Sequence, residues 1–176
     1  MPTVALGLGS NMGNRLLNLK NALRALKNIR RENGPDKINA LKILRASDVF
    51  ETAPWGVTDQ PSFLNACVLT ECSLTPRELL SAVKEIETRL GRTATRRWGE
   101  RVIDIDILTL DSLVFDEPDL RIPHPEMHRR DFVLIPLSTL LPDWVHPLTG
   151  QTVTAMAKSL SDSGAAGFQA VRICPL

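Results

Sequence analysis

The chain has 176 residues, 43% hydrophobic and 23% charged, and 21 lysines and arginines against 20 aspartates and glutamates give a net charge of +1. That length suits one domain with a real core, and the near-zero charge excludes bulk attraction to nucleic acid or an anionic membrane. No window approaches the ~18 apolar residues of a membrane span, the N-terminus MPTVALGLGS is no signal peptide, and Cys67, Cys72 and Cys174 are too irregularly spaced for a disulfide framework or a zinc site, so a cytoplasmic protein is expected.

Thr3 to Leu8 reads as a short buried strand and GLGSNMGN as a tight turn after it. Its glycines at 7, 9 and 13 miss the dinucleotide fingerprint by one position, and no Walker-type GK[ST] follows. A plain strand-to-helix turn and a phosphate contact are equally good readings. From Arg15, the positions Leu16, Leu19, Leu23 and Leu26 mark a helical face, which must end before Asn33-Gly34-Pro35. Leu41 to Phe50 reads as one strand and Phe63 to Leu69 as the next, joined by the loop ETAPWGVTDQPS. Connections of that length are commonly functional.

Thr75-Pro76-Arg77-Glu78 is a capping box with proline at the first helical position. Leu79, Val83, Ile86 and Leu90 line the buried face of that helix, and Gly91 fits its C′ position. A basic stretch, Arg92 to Arg101, leads into the apolar strand Val102 to Leu110. Leu113 to Phe115 and Leu120 to Ile122 read as a two-stranded appendage. A short helix at Glu126 to Arg130, an apolar stretch to Leu141 and a helix at Thr152 to Leu160 complete the chain. The order β-α-β-β-α-β through residue 110 is an α+β, ferredoxin-like arrangement within a single domain, 1–176. It implies an antiparallel four-stranded sheet with both helices on one face. The other face is left for a site or for the C-terminal elements.

Asp104 and Asp106 stand two apart on the last strand, so both side chains leave one face while Ile103, Ile105 and Ile107 leave the other. Carboxylates about 7 Å apart on one strand face repel each other, and a divalent cation would offset that. With no cysteine nearby and no histidine close in sequence, a hard cation such as Mg²⁺ fits better than zinc. Arg89, Arg92, Arg96, Arg97 and Arg101 cluster just upstream. Carboxylates for metal beside guanidinia for phosphate are the parts of phosphoryl transfer, and the basic loop reads as a lid that closes over substrates. Trp55, Phe63, Asn65, Trp98 and Phe132 fit a planar heterocycle stacked on aromatic faces, its edge read by the amide. His124 and His128, with Pro125 between them, make a poor zinc pair; His124 is better read as a phosphate donor or a surface residue.

The run Arg97-Trp98-Gly99-Glu100-Arg101-Val102-Ile103-Asp104-Ile105-Asp106-Ile107-Leu108 resembles the signature of 6-hydroxymethyl-7,8-dihydropterin pyrophosphokinases. GLGSN, Asp59-Gln60-Pro61 with Phe63-Leu64-Asn65, and Ile122-Pro123-His124 match that family in the same order. The resemblance implies a ferredoxin-like fold and pyrophosphoryl transfer from ATP to the pterin hydroxymethyl oxygen in folate biosynthesis, releasing AMP. It implies two Mg²⁺ on Asp104 and Asp106, with Arg92 and Arg101 as catalytic phosphate ligands. Pterin would contact Thr52, Pro54, Trp55, Phe63, Asn65, Trp98 and Phe132. ATP would contact Leu80, Lys84, Glu87, Arg92, Trp98, Arg101, Ile107, Arg121, His124 and Arg130. A monomer without nucleic-acid or membrane partners is expected. A ferredoxin-like nucleic-acid-binding module, or a metal-binding regulatory one without catalysis, is the alternative. Against it stand the aspartates where stacking aromatics would be wanted, and the basic lid.

Overall fold

The computed structural model describes residues 1–30, 39–54, 59–93, 99–163 and 170–176. At its centre runs β1 (Thr3–Ser10), with Val4, Leu6 and Leu8 buried toward one face and Ala5 toward the other. β4 (Phe63–Cys72) flanks it on one side and β5 (Asp104–Leu110) on the other, both antiparallel. β2 (Leu41–Ala46) and β3 (Asp48–Thr52) pair with successive stretches of β4. α1 (Arg15–Lys27) and α2 (Pro76–Arg89) complete the ferredoxin-like order.

Local chemistry sets the helix ends. The Asn14 side chain accepts the Leu17 N–H at 3.1 Å to start α1. In α2 the Thr75 N–H donates to Glu78 Oε2 at 2.8 Å while Thr75 Oγ1 accepts the Glu78 N–H, so the expected capping box is present. Gly91, at φ 93°, supplies the left-handed residue after the helix.

Both helices bury Leu19, Leu26, Leu79, Val83 and Ile86 against Leu6, Val68 and Ile105 on one sheet face. The opposite face is partly covered by α3 (Asp131–Ser138) and α4 (Val153–Asp162), whose Leu134, Leu137, Val153 and Met156 pack on Ala5, Cys67, Leu69 and Leu108. The result is three layers, and the part of that second face left uncovered is where the site forms.

Several expectations change. β1 runs on to Ser10, so Gly7 and Gly9 belong to a strand and not to a turn. The single strand expected from Leu41 to Phe50 breaks at Ser47, which is buried. Its N–H donates to Cys67 O and its hydroxyl accepts the Cys67 N–H, both at 2.9 Å, so a side chain stands in for a ladder bond. The appendage shifts to β6 (Phe115–Glu117) and β7 (Leu120–Ile122), and the short helix after it is a 3-10 turn, Met127–Arg129. β8 (Val171–Pro175), absent from the sequence reading, pairs with β3 as a further strand.

Candidate active site

Two rows of residues cross the sheet. In register lie Asp104, Gly9 and Asn65, and one pleat along lie Asp106, Gly7 and Cys67. All face the same way, because one face of a strand is visited every second residue. The middle strand contributes glycines, so backbone forms the floor between the carboxylates and the amide. A β-carbon on Gly9 would stand 3.0 Å from Asn65 Oδ1, and one on Gly7 3.4 Å from the Leu108 side chain. This, and not a phosphate turn, is what the first two glycines do.

Over that floor opens a cavity of about 630 Å³. Thr52, Phe63, Asn65 and Phe132 line one end and Arg101, Asp104, Asp106, His124 and Arg130 the other. Asn65 is buried and its amide donates to Thr52 Oγ1 at 2.8 Å, which fixes the amide's orientation. Arg130 lies over the Phe132 ring, 5.6 Å from its centroid. A second cavity, about 460 Å³, lies beyond Asp106 and is lined by Leu80, Lys84, Ile107 and Arg121. Asp106 and His124 line both, and His124 is held there by its N–H donating to Leu108 O at 2.9 Å.

Electrostatics separate the two carboxylates. Burial pushes Asp104 up, but the guanidinia of Arg101 and Arg92 pull harder the other way and hold it below the usual carboxylate range. Arg101 Nη1 donates to Asp104 Oδ2. Arg92 Nη1 forms an ion pair with Oδ1 at 2.8 Å. Asp106 is pushed up to about 6 by burial and by Asp104, against the opposing pull of Arg130 3.8 Å away. Burial, then Arg130, pushes His124 down to about 4, so near pH 7 it is neutral.

Two oxygen-donor carboxylates, two residues apart on one strand face, fit a hard divalent cation. No cluster of three or more acidic, histidine or cysteine side chains suits a metal among the described residues. A pair of carboxylates leaves positions on such a cation for oxygens of a substrate or water, as when Mg²⁺ is bound with a phosphate chain.

The remaining predicted residues fall outside these linings. Arg92 lines neither cavity and is paired with Glu87 as well as Asp104. Glu87 is buried, accepts the Ile105 N–H at 2.7 Å and pairs with Lys84 at 3.0 Å, so it braces β5 and two cations from below. Pro54 follows the lining residue Ala53 without lining either cavity itself. Trp55 and Trp98 lie outside the described residues, as do Arg96 and Arg97.

The sequence reading gave no role to Asn11. It is buried, its N–H donates to Arg101 O at 3.0 Å, and its Oδ1 accepts the Arg101 N–H at 2.7 Å. Its Nδ2 donates to Gln60 Oε1 and Pro61 O. One amide thus ties the end of the basic loop to the end of the loop before β4. The signal was there in GLGSN, but a motif match assigns no partners.

No helix among the described residues is long and apolar enough to cross a membrane. α3 and α4 cover part of the sheet face that a single-strand RNA binder would use.

The family described as 7,8-dihydro-6-hydroxymethylpterin-pyrophosphokinase matches residues 5–142. A 2-amino-4-hydroxy-6-hydroxymethyldihydropteridine pyrophosphokinase of Methylorubrum extorquens is 38% identical over 164 residues, covering 93% of this chain and 97% of its own. One from Aquifex aeolicus is 38% identical over 148 residues, covering 84% and 86%. Among solved structures, a Plasmodium falciparum HPPK-DHPS crystallised with pteroate superposes with TM-score 0.70 at 16% identity. It covers 94% of this chain, which spans only 43% of that longer one. With most of its length matched by the family and by relatives of its own size, the chain belongs to the 7,8-dihydro-6-hydroxymethylpterin-pyrophosphokinase family.

Proposed function

We propose that this chain transfers the pyrophosphoryl group of ATP to the hydroxymethyl oxygen of 6-hydroxymethyl-7,8-dihydropterin, releasing AMP, as a step of folate biosynthesis. The observation that carries this reading is the pair of adjoining cavities that meet at Asp106 and His124. One offers aromatic walls and an oriented amide, the other two cations and aliphatic side chains, and the carboxylates stand at the junction.

Pterin stacks on Phe132 and Phe63, with Asn65 and Thr52 hydrogen-bonding its edge; Pro54, Trp55 and Trp98 are its further contacts in this reading. ATP lies along Leu80, Lys84, Ile107, Arg121, His124 and Arg130, with its phosphates directed at Arg101 and Arg92. Asp104 and Asp106 would hold two Mg²⁺, and these would supply charge neutralisation for the phosphates and acidify the attacking hydroxyl. A bond forms from that oxygen to the β-phosphorus, and the α–β bridge breaks with AMP keeping the bridging oxygen. No protein nucleophile is required; the chain's residues position both substrates and neutralise developing charge. One chain supplies both cavities, which suits a monomer. Free Cys67, Cys72 and Cys174 suit a reducing cytoplasm.

The deciding assay supplies ATP, Mg²⁺ and the hydroxymethyldihydropterin and resolves the adenine nucleotides. AMP formed one-for-one with pterin diphosphate is the expected result; ADP, or no turnover, would overturn the reading. Gly9→Ala is expected to weaken pterin binding by about tenfold or more in a fluorescence titration, because its methyl displaces Asn65. Gly7→Ala, facing a movable leucine, should cost less. Equal effects would argue against the Asn65 contact.

A further inference from the structure

The 460 Å³ cavity is lined by β5, through Ile105, Asp106 and Ile107, and by two elements of different origin that pack against that strand. Leu80 and Lys84 come from α2, while Pro118, Asp119, Leu120 and Arg121 come from the β6–β7 hairpin. The hairpin takes its own support from β5, through β7, with Leu120 and Ile122 buried. Its turn projects toward α2, and there one side chain crosses between them.

Arg77 lies in the first turn of α2, three residues before Leu80 and seven before Lys84, hence on the same stripe of the helix. Its Nη1 donates to both carboxylate oxygens of Asp119, at 2.6 Å each. Its Nη2 pairs with Glu117. Glu117 ends β6 and Asp119 immediately precedes β7, so the two acids flank the turn at Pro118 and the guanidinium grips both arms. Arg121 and Asp116, 2.8 Å apart, pair across the hairpin itself. Arg77 lines neither cavity.

All three side chains are well exposed, and exposed ion pairs add little to global stability. A planar guanidinium shared by two carboxylates is directional, however, and fixes both separation and angle. We infer that Arg77 is a positioning residue: it tethers the hairpin turn to α2 and so sets the width of the nucleotide cavity. The groups lent by the two elements, Lys84 and Arg121, are thereby kept at a fixed separation. This rests on the reading of that cavity as the ATP site.

The test compares Arg77→Ala, Arg77→Lys and the charge-neutral pair Glu117→Gln/Asp119→Asn in the full chain, with ATP and pterin varied separately. Arg77→Ala is expected to raise the KM for ATP by roughly five- to tenfold, with kcat within about twofold and pterin affinity unchanged. Arg77→Lys should recover part of the loss. The neutral pair should reproduce it, and adding Arg77→Ala to that pair should bring no further loss, because the interaction is already gone. An unchanged KM for ATP in Arg77→Ala, or losses that add in the triple variant, would overturn the inference. Absence of AMP formation by the unaltered protein would instead strike at the functional reading, so the two failures are distinguishable.

Discussion

Asp106→Asn is expected to lower kcat/KM by about 10³-fold or more and at the same time to make the metal-free protein harder to melt. The activity loss follows from removing one of two carboxylates at the junction of the cavities. The gain in stability follows from the strain of keeping both there. Asp106 is pushed up to about 6 in the folded chain, against 3.8 for an ordinary aspartate. A group whose folded value is raised binds its proton more tightly folded than unfolded. As pH rises through the interval from about 4 to 6, stability therefore falls, and above it the full penalty remains. The side chain is 32% exposed, so solvent screening reduces that penalty to roughly 1 kcal/mol, or about 2–4 °C in a chain of this size. Melting curves in EDTA at pH 7.5 should show the variant above the parent. Adding Mg²⁺ with a non-hydrolysable ATP analogue should raise the parent and leave the variant nearly unmoved. A variant that melts lower in EDTA, or that keeps turnover, would remove Asp106 from the site.

Arg101→Ala is expected to reduce kcat by about 10²–10³-fold with pterin affinity within about threefold. Its guanidinium lines the larger cavity and donates to Asp104. Its backbone is pinned on both sides by Asn11, so the charge is presented from a fixed point. Arg101→Lys should recover only part of the rate, since an ammonium lacks the planar fork that holds a carboxylate and a phosphate together. Arg92 differs in kind. It is shared between Glu87 and Asp104 and must loosen those contacts to reach a phosphate. A large drop in pterin affinity for Arg101→Ala in single-turnover binding would contradict this assignment.

What the sequence disclosed, and what it hid, follows from the range of each interaction. The capping box at Thr75 and the alternation of Asp104 and Asp106 with isoleucines are local patterns, and the structure keeps both. The layering of helices on one face follows from element order. Glu87 was harder: helical periodicity marks its neighbours as apolar, and the Ile105 N–H eighteen residues on, together with Lys84 and Arg92, explains a carboxylate buried there. Ser47 breaks a run that reads as continuous strand because its hydroxyl substitutes for a ladder bond to Cys67. Gly7 and Gly9 look like turn residues until the strand beside them shows that the missing β-carbons make room for Asn65 and the cavity. Asn11 is meaningful only through Arg101, Gln60 and Pro61, ninety and about fifty residues distant. β8 is short, and its Val171 and Ile173 are both well exposed, so it has no core-facing row to announce it.

β8 also answers a hazard that has nothing to do with catalysis. Without it, β3 would be the selvedge of the sheet, and its backbone amides and carbonyls would invite any extended chain to knit on beside Thr52. The C-terminal strand takes up that row from Asp48 to Glu51. It is itself an unwelcoming border: Pro175 has no amide to offer, and Arg172, paired with Asp48 at 2.7 Å, sets a charge along the rim. The C-terminal strand thus covers a β3 edge that would otherwise be open to pairing with another chain.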